Sequence, residues 1–178
     1  MPTIFTHPAV ALLKTWWPRL PYRVAIAGAI LTIIPDLDVI AFALGIPYEH
    51  VLGHRGFSHS ITFALILSAL ATWMLRVDAH RRATFAFLFV CTMSHALLDA
   101  MTDGGLGIAF FAPFHNERYF LPWTPIRVSP IGAGFFSARG MATLKSEVVW
   151  VWAPCVVVGV LGWLRDLNSM RRESRPSP

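Results

Sequence analysis

A chain of 178 residues in which 55% of side chains are hydrophobic and 14% are charged is long enough for one domain but too apolar for an ordinary soluble one. Its net charge of +5 does not describe a nucleic-acid binder: the basic residues are scattered at the ends of apolar stretches rather than gathered into an aromatic-interleaved patch, so no direct nucleic-acid binding is expected. Two cysteines, Cys91 and Cys155, both inside apolar stretches, are too few for a disulfide framework and read as packing residues.

Residues 4–17 form a short apolar, helical segment ending in Trp16, Trp17 and Pro18, a composition suited to a membrane interface or to half a span. No basic leader precedes it and no small-residue cleavage site is evident, so a removable signal peptide is not expected. Four apolar windows then predict four spanning helices: Val24 to Leu44, Ser60 to Arg76, Ala83 to Met101 and Val148 to Leu164. A spanning helix needs about 17–25 residues, so the first and third windows cross comfortably while the second and fourth are short. Pro35 interrupts the first helix, and Asp36 caps a continuation that Gly45 and Pro47 stop. Ser58 is the expected N-cap of the second helix, and Gly56 supplies the freedom to fold His54 and His59 toward one point. The short basic connection at 76–82 makes the second and third helices antiparallel neighbours.

Between Thr102 and Glu147 lie six glycines and four prolines, with aromatics from Phe110 to Phe136. This predicts a long aromatic loop near the lipid headgroups, acting as a lid before the last helix. The predicted architecture is an all-α integral membrane bundle: four spans and a short N-terminal half-helix in one domain, 1–167, followed by a basic, flexible tail at 168–178. If the four windows alternate, ten of the 15 Lys and Arg side chains fall on one side, among them Arg19, Arg23, Arg76, Arg81, Arg82 and Arg165. That bias places the C-terminus in the cytoplasm.

Asp36, Asp38, His54, His59, His95, Asp99 and Asp103 all lie in or beside these windows. An ionisable group at mid-membrane depth costs about 2.5–3.5 kcal/mol on insertion scales, so such groups need partners, and metal ions suit these ligand types. His95, Asp99 and Asp103 recur every fourth residue and share one face if the third helix continues to Asp103. They ligate metal, or they form a buried network paired by Arg55 and backbone donors. Asp36 and Asp38 converge only if Pro35 bends the chain; otherwise one caps and the other pairs. His54 and His59, five residues apart across a glycine, suit ligands from separate backbone segments. Arg55 either receives a phosphate or carboxylate of substrate through its planar fork or pairs with an acid. Glu147 is a ligand, a general base or an acid serving the helix dipole, and His7 joins the group if its segment dips into the membrane. With the alternating topology these groups meet in the outer half of the bilayer. His50, His80 and His115 have no comparable spacing.

The blocks THPAVA at 6–11, PDLD at 35–38, HRGFSHS at 54–60 and SHALLDAMTDGG at 94–105 closely resemble the YdjM-like family of bacterial inner-membrane metal-dependent hydrolases, also described as LexA-binding. His7, Asp36, Asp38, His54, His59, His95 and Asp99 match the family's motifs. The resemblance implies an integral inner-membrane protein with a metal site and admits a LexA-type regulator as partner. The order of histidines and acids is remotely similar to that of zinc-dependent phospholipase C, which implies phosphodiester chemistry.

The sequence therefore leads to a membrane-bound metal-dependent hydrolase. One or more divalent ions are expected, zinc foremost with manganese or iron as alternatives, activating water against a phosphodiester or lipid ester among the membrane lipids. Asp38, Asp99 and Glu147 are the candidate proton acceptors, and Arg55 is the candidate anion contact. Two rivals stand beside it: a metal or proton transporter, and a non-catalytic anchor for a soluble regulator.

Overall fold

The computed structural model describes residues 1–130 and 132–173, and its regular elements are helical. A 3₁₀ segment, His7–Trp16, leads to α1 (Tyr22–Leu31), a second 3₁₀ segment at Ile34–Val39, and α2 (Ile40–Ala43). A 3₁₀ turn at Phe57–His59 precedes α3 (Ile61–Leu75), followed by α4 (Arg81–Ala100), α5 (Ala138–Glu147) and α6 (Ala153–Glu173). A π-helical stretch, Val148–Trp152, runs α5 into α6 without a break.

The all-α membrane bundle stands, but with three long apolar spans instead of four: Tyr22–Ala43, Asp78–Ala100 and Ala138–Arg172. The second window is where the expectation fails. Its helix, α3, has 15 residues, and at about 1.5 Å per residue it falls short of a hydrocarbon core of about 30 Å. Both of its ends are sharply defined. Ser60 caps the start by accepting Phe63 N–H at 3.1 Å, so the cap is Ser60 and not Ser58, and Arg76 ends the helix in a left-handed turn at φ 48°. The last helix is longer than its window, at 35 residues, because the end of the aromatic loop is itself helical. α6 carries the chain to Glu173, and residues 174–178 lie outside the described residues.

Every long element runs between the same two ends of the bundle. α3 and α4 form an antiparallel hairpin through the Asp78–His80 turn. The opening 3₁₀ segment lies parallel to α6, with Trp152 Nε1 donating to Thr6 Oγ1 at 3.1 Å and Trp16 Nε1 donating to Val158 O at 2.9 Å. Leu20, Val24, Leu31, Phe87, Leu88 and Cys91 fill the apolar core between α1 and the α3–α4 hairpin. At the opposite end, residues 102–130 fold over the bundle. Leu121 N–H bonds to Ala100 O, Ala109 N–H to Arg55 O, and Ile108 and Tyr119 pair at 2.9 and 3.0 Å. Ile108, Ala109, Ala112 and Ile126 are thereby buried.

Candidate metal centre

Pro35 is the local cause of the site. It brings a tighter 3₁₀ turn in which Asp36 N–H bonds to Ile33 O, so Thr32 O is released from the α-helical pattern. Thr32 O instead accepts His95 Nδ1–H at 2.6 Å, which turns His95 Nε2 into the bundle. The same turn sends the Asp36 side chain inward while Leu37 remains exposed.

His59 arrives from the turn before α3. Its Nδ1 faces Asp38 Oδ2 at 3.1 Å, and its Nε2 lies 3.0 Å from His95 Nε2. Asp36 Oδ1 is 3.3 Å from His95 Nε2, and Asp99 Oδ2 is 3.5 Å from His59 Nε2. One ligand atom from each of Asp36, His59, His95 and Asp99 lies within 4.8 Å of the other three, and all four residues are buried. Among the described residues no oxygen of Asp36 or Asp99 makes a hydrogen bond of good geometry, although Arg55 Nε and the ring nitrogens lie close to them. Leaving buried polar atoms so is costly, and these four residues could hold a cation that would satisfy the set.

His7 stacks on His95 with ring centroids 3.9 Å apart, and its Nε2 is 3.8 Å from Asp99 Oδ1. Both of its ring nitrogens are buried without partners. Burial, with His95 adding to it, pushes the His7 imidazole down to about 3, so it is neutral and competent as a ligand. His59 is the opposite case. Burial disfavours its charge, but hydrogen bonds to Asp38 and Asp99 hold it up at about 9, so without a cation a proton sits on this ring. His59 Nε2 would have to give up that proton to serve as a metal ligand.

Asp38 accepts His54 Nδ1–H at 2.6 Å, Arg55 N–H at 3.1 Å and the Ser58 hydroxyl, besides facing His59. Asp38, His54 and His59 thus make a second group of metal-ligating type, but with its lone pairs engaged Asp38 is placed to orient imidazoles. Asp38 and Ser58 are half-buried and form the accessible rim, while the Tyr48 and Phe42 rings lie 5.2 and 5.8 Å from that of His54.

Arg55 settles between its two readings as a paired residue. Its Nε is 3.1 Å from Asp99 Oδ2, its Nη1 donates to Gly104 O at 2.9 Å, and its Nη2 donates to Thr102 Oγ1 at 3.2 Å. Gly105, at φ +96°, lets the lid backbone approach this guanidinium, since a Cβ there would lie 2.6 Å from Nη1. Two expected members stand apart from the cluster. Asp103 does not share the His95–Asp99 face, because α4 stops at Ala100; it is exposed and accepts Val128 N–H at 2.7 Å. Glu147 is fully buried but turned to the opening segment, accepting Thr3 N–H at 2.5 Å and the hydroxyls of Thr3 and Thr6 at 2.7 Å each. It holds the strand of chain that presents His7.

Thr32, Thr3, Thr6 and Arg118 were not legible in advance. Arg118 donates to His54 O at 2.9 Å and Tyr48 O at 2.8 Å, tying the lid to the histidine loop. The one available signal was for Thr32, three residues before a helix-breaking proline whose effect on backbone bonding frees a carbonyl.

The chain is similar to known inner-membrane proteins. The family model "YdjM inner membrane protein" matches residues 1–168. Inner membrane protein YbcI of Escherichia coli (strain K12) is 39% identical over 172 residues, covering 93% of this chain and 99% of that protein. Inner membrane protein YdjM of the same strain is 32% identical over 105 residues, covering 51% of this chain and 48% of that protein. No solved structure matches.

Proposed function

The chain belongs to the YdjM inner-membrane protein family, and from that premise we propose that its buried histidine–aspartate cluster is a divalent-metal centre serving hydrolysis of a phosphodiester or lipid ester within the membrane. The observation that carries this reading is the convergence of two imidazole Nε2 atoms, 3.0 Å apart, on the buried carboxylates of Asp36 and Asp99, while the far nitrogens are held by Thr32 O and Asp38. Fixing the far nitrogen sets the tautomer and aims the ligand, as in established metal sites.

Asp36, His59, His95 and Asp99 are the proposed ligands, with His7 as an additional neutral imidazole against Asp99. Mixed imidazole and carboxylate donors suit zinc, and manganese or iron takes the same set. When bound, such an ion supplies a Lewis acid that generates hydroxide near neutral pH. The remaining residues position and move protons. Arg55 holds and aims Asp99, Asp38 orients His59 and His54, and His54, buried just behind the half-buried rim, is the candidate proton carrier. The Asp38–Ser58 rim, beside the Tyr48 and Phe42 rings, is the proposed entry for an amphipathic substrate. With the arginine-rich end in the cytoplasm, the centre faces the outer leaflet. The apolar core lying between the two ends of the bundle favours a one-sided site over a transport path.

The test is to purify the protein in detergent, load it with zinc, manganese or iron, and measure bound metal in wild type, His59→Ala and Asp99→Ala. Stoichiometric metal in wild type alone is expected, followed by metal-dependent cleavage of chromogenic phosphodiesters or ester lipids in mixed micelles. Equal, near-zero metal in all three preparations removes the basis of the proposal, and metal without cleavage of either substrate class removes its hydrolytic half.

A further inference from the structure

We propose that the end of the bundle remote from the metal centre carries a binding site for the headgroup of an anionic phospholipid, seated between the Trp16–Leu20 turn and the start of α4. A groove of about 350 Å³ opens there, with Trp16, Trp17, Arg19 and His80 among its walls. A second, larger groove of about 470 Å³ lined by His80, Arg81 and Arg82 shares the His80 and Ala83 wall with it, so three arginines from two distant stretches border two adjoining depressions.

These cations lack internal use. Among the described residues, Arg19, Arg81 and Arg82 enter no ion pair, although the acid Asp78 lies in the wall of the second groove. All three side chains are exposed. A surface that only marked topology could spread its charges, whereas here they border adjoining concavities, one of them floored by the buried Leu20 and walled by indoles. Cations at headgroup level above tryptophan at the acyl boundary match the two halves of a phospholipid. The adjoining end of α3 continues the apolar half outward, with Trp73 and Met74 exposed by 65% and 66%. A negatively charged headgroup satisfies the arginines, and its acyl chains lie along that face. A protein partner would leave the acyl-level indoles without lipid, and free phosphate would leave the apolar walls unused.

This site is independent of the metal reading, because it shares no residue with the cluster. The experiment is native mass spectrometry of the full chain released from nanodiscs of phosphatidylcholine with and without phosphatidylglycerol. Wild type is expected to retain phosphatidylglycerol in preference to phosphatidylcholine. Arg19→Gln combined with Arg82→Gln is expected to lower that retention roughly 10–30-fold, the size two interfacial arginines supply. The charge-matched pair Arg127→Gln and Arg139→Gln, on the metal-centre side of the molecule, is expected to leave retention unchanged. Arg19→Lys with Arg82→Lys, which preserves charge, guards against a folding defect and is expected to retain lipid. Equal retention of both lipids by wild type overturns the proposal, as does equal loss in both glutamine pairs. Inorganic phosphate that displaces the lipid at equal concentration also overturns it, since the apolar half would then contribute nothing.

Discussion

At one end of the bundle Asp36, His59, His95 and Asp99 are almost inaccessible and face one another, whereas at the other Arg19, Arg81 and Arg82 stand exposed without ion-pair partners among the described residues. In sequence both sets are polar residues beside apolar runs, and only direction separates them. An inward-facing charge must be satisfied by other side chains, so it is tied to distant segments and to one geometry. An outward-facing arginine uses water and headgroups, so its neighbours are free to vary. The buried end should therefore respond to single substitutions by losing both metal and stability, and the exposed end should respond with neither.

The sharpest way to break that contrast is Asp99→Ala. It removes a proposed ligand and leaves Arg55, 1% exposed, without its carboxylate. Breaking a buried pair from one side costs about 3–5 kcal/mol. A large fall in thermal midpoint in detergent together with loss of stoichiometric zinc is expected. A variant as stable as wild type would show that Arg55 reaches water more easily than its burial implies.

Asp38→Asn comes next, because it touches the cluster only through His54, His59, Arg55 and Ser58. Removing a group that orients a metal ligand lowers affinity about 10–100-fold without abolishing binding. Competition with a zinc chelator measures this, and complete loss would promote Asp38 from orienting residue to ligand. Glu147→Gln lies one step further out. It weakens bonds that tie Thr3 and Thr6 in place beside His7, at about 1.5–3 kcal/mol of stability for a bond to a charged group. Zinc content is expected to persist with a modest drop in affinity, and unchanged stability would mean that the opening segment is held by Trp152 and Trp16 alone.

How much of this was readable beforehand follows from the range of each interaction. Pro35 between apolar runs announced the break in the first helix, and the acids and histidines beside apolar runs announced that they would be gathered into one buried cluster, because both signals are local. Hydropathy also located α3, since the window Ser60 to Arg76 matches the helix Ile61–Leu75 and its two caps; what it could not decide is whether so short an apolar helix counts as a span. Nor could periodicity assign Asp103 and Glu147. The first needs the end of α4 at Ala100, and the second needs residues 144 positions away to be its partners. Arg55 stayed ambiguous for the same reason, as its acceptors Thr102 and Gly104 belong to a lid whose path no spacing rule encodes.

The smallest expected effect tests the boundary of the buried end. Asp103→Ala alters an acid at the third member of an every-fourth-residue series, which by spacing alone predicts the same loss of metal as Asp99→Ala. In the folded chain its carboxylate instead accepts Val128 N–H at 2.7 Å on the exposed side of the lid, while its own N–H bonds to Ile126 O. Losing one such bond at a solvated position costs about 1 kcal/mol, because water replaces the acceptor. Full zinc content with a slightly lower thermal midpoint is therefore expected. Loss of the metal would instead bring Asp103 within reach of the ion and require the lid to close over the cluster differently, unwinding the Thr102–Ile126 bridge that now holds it away.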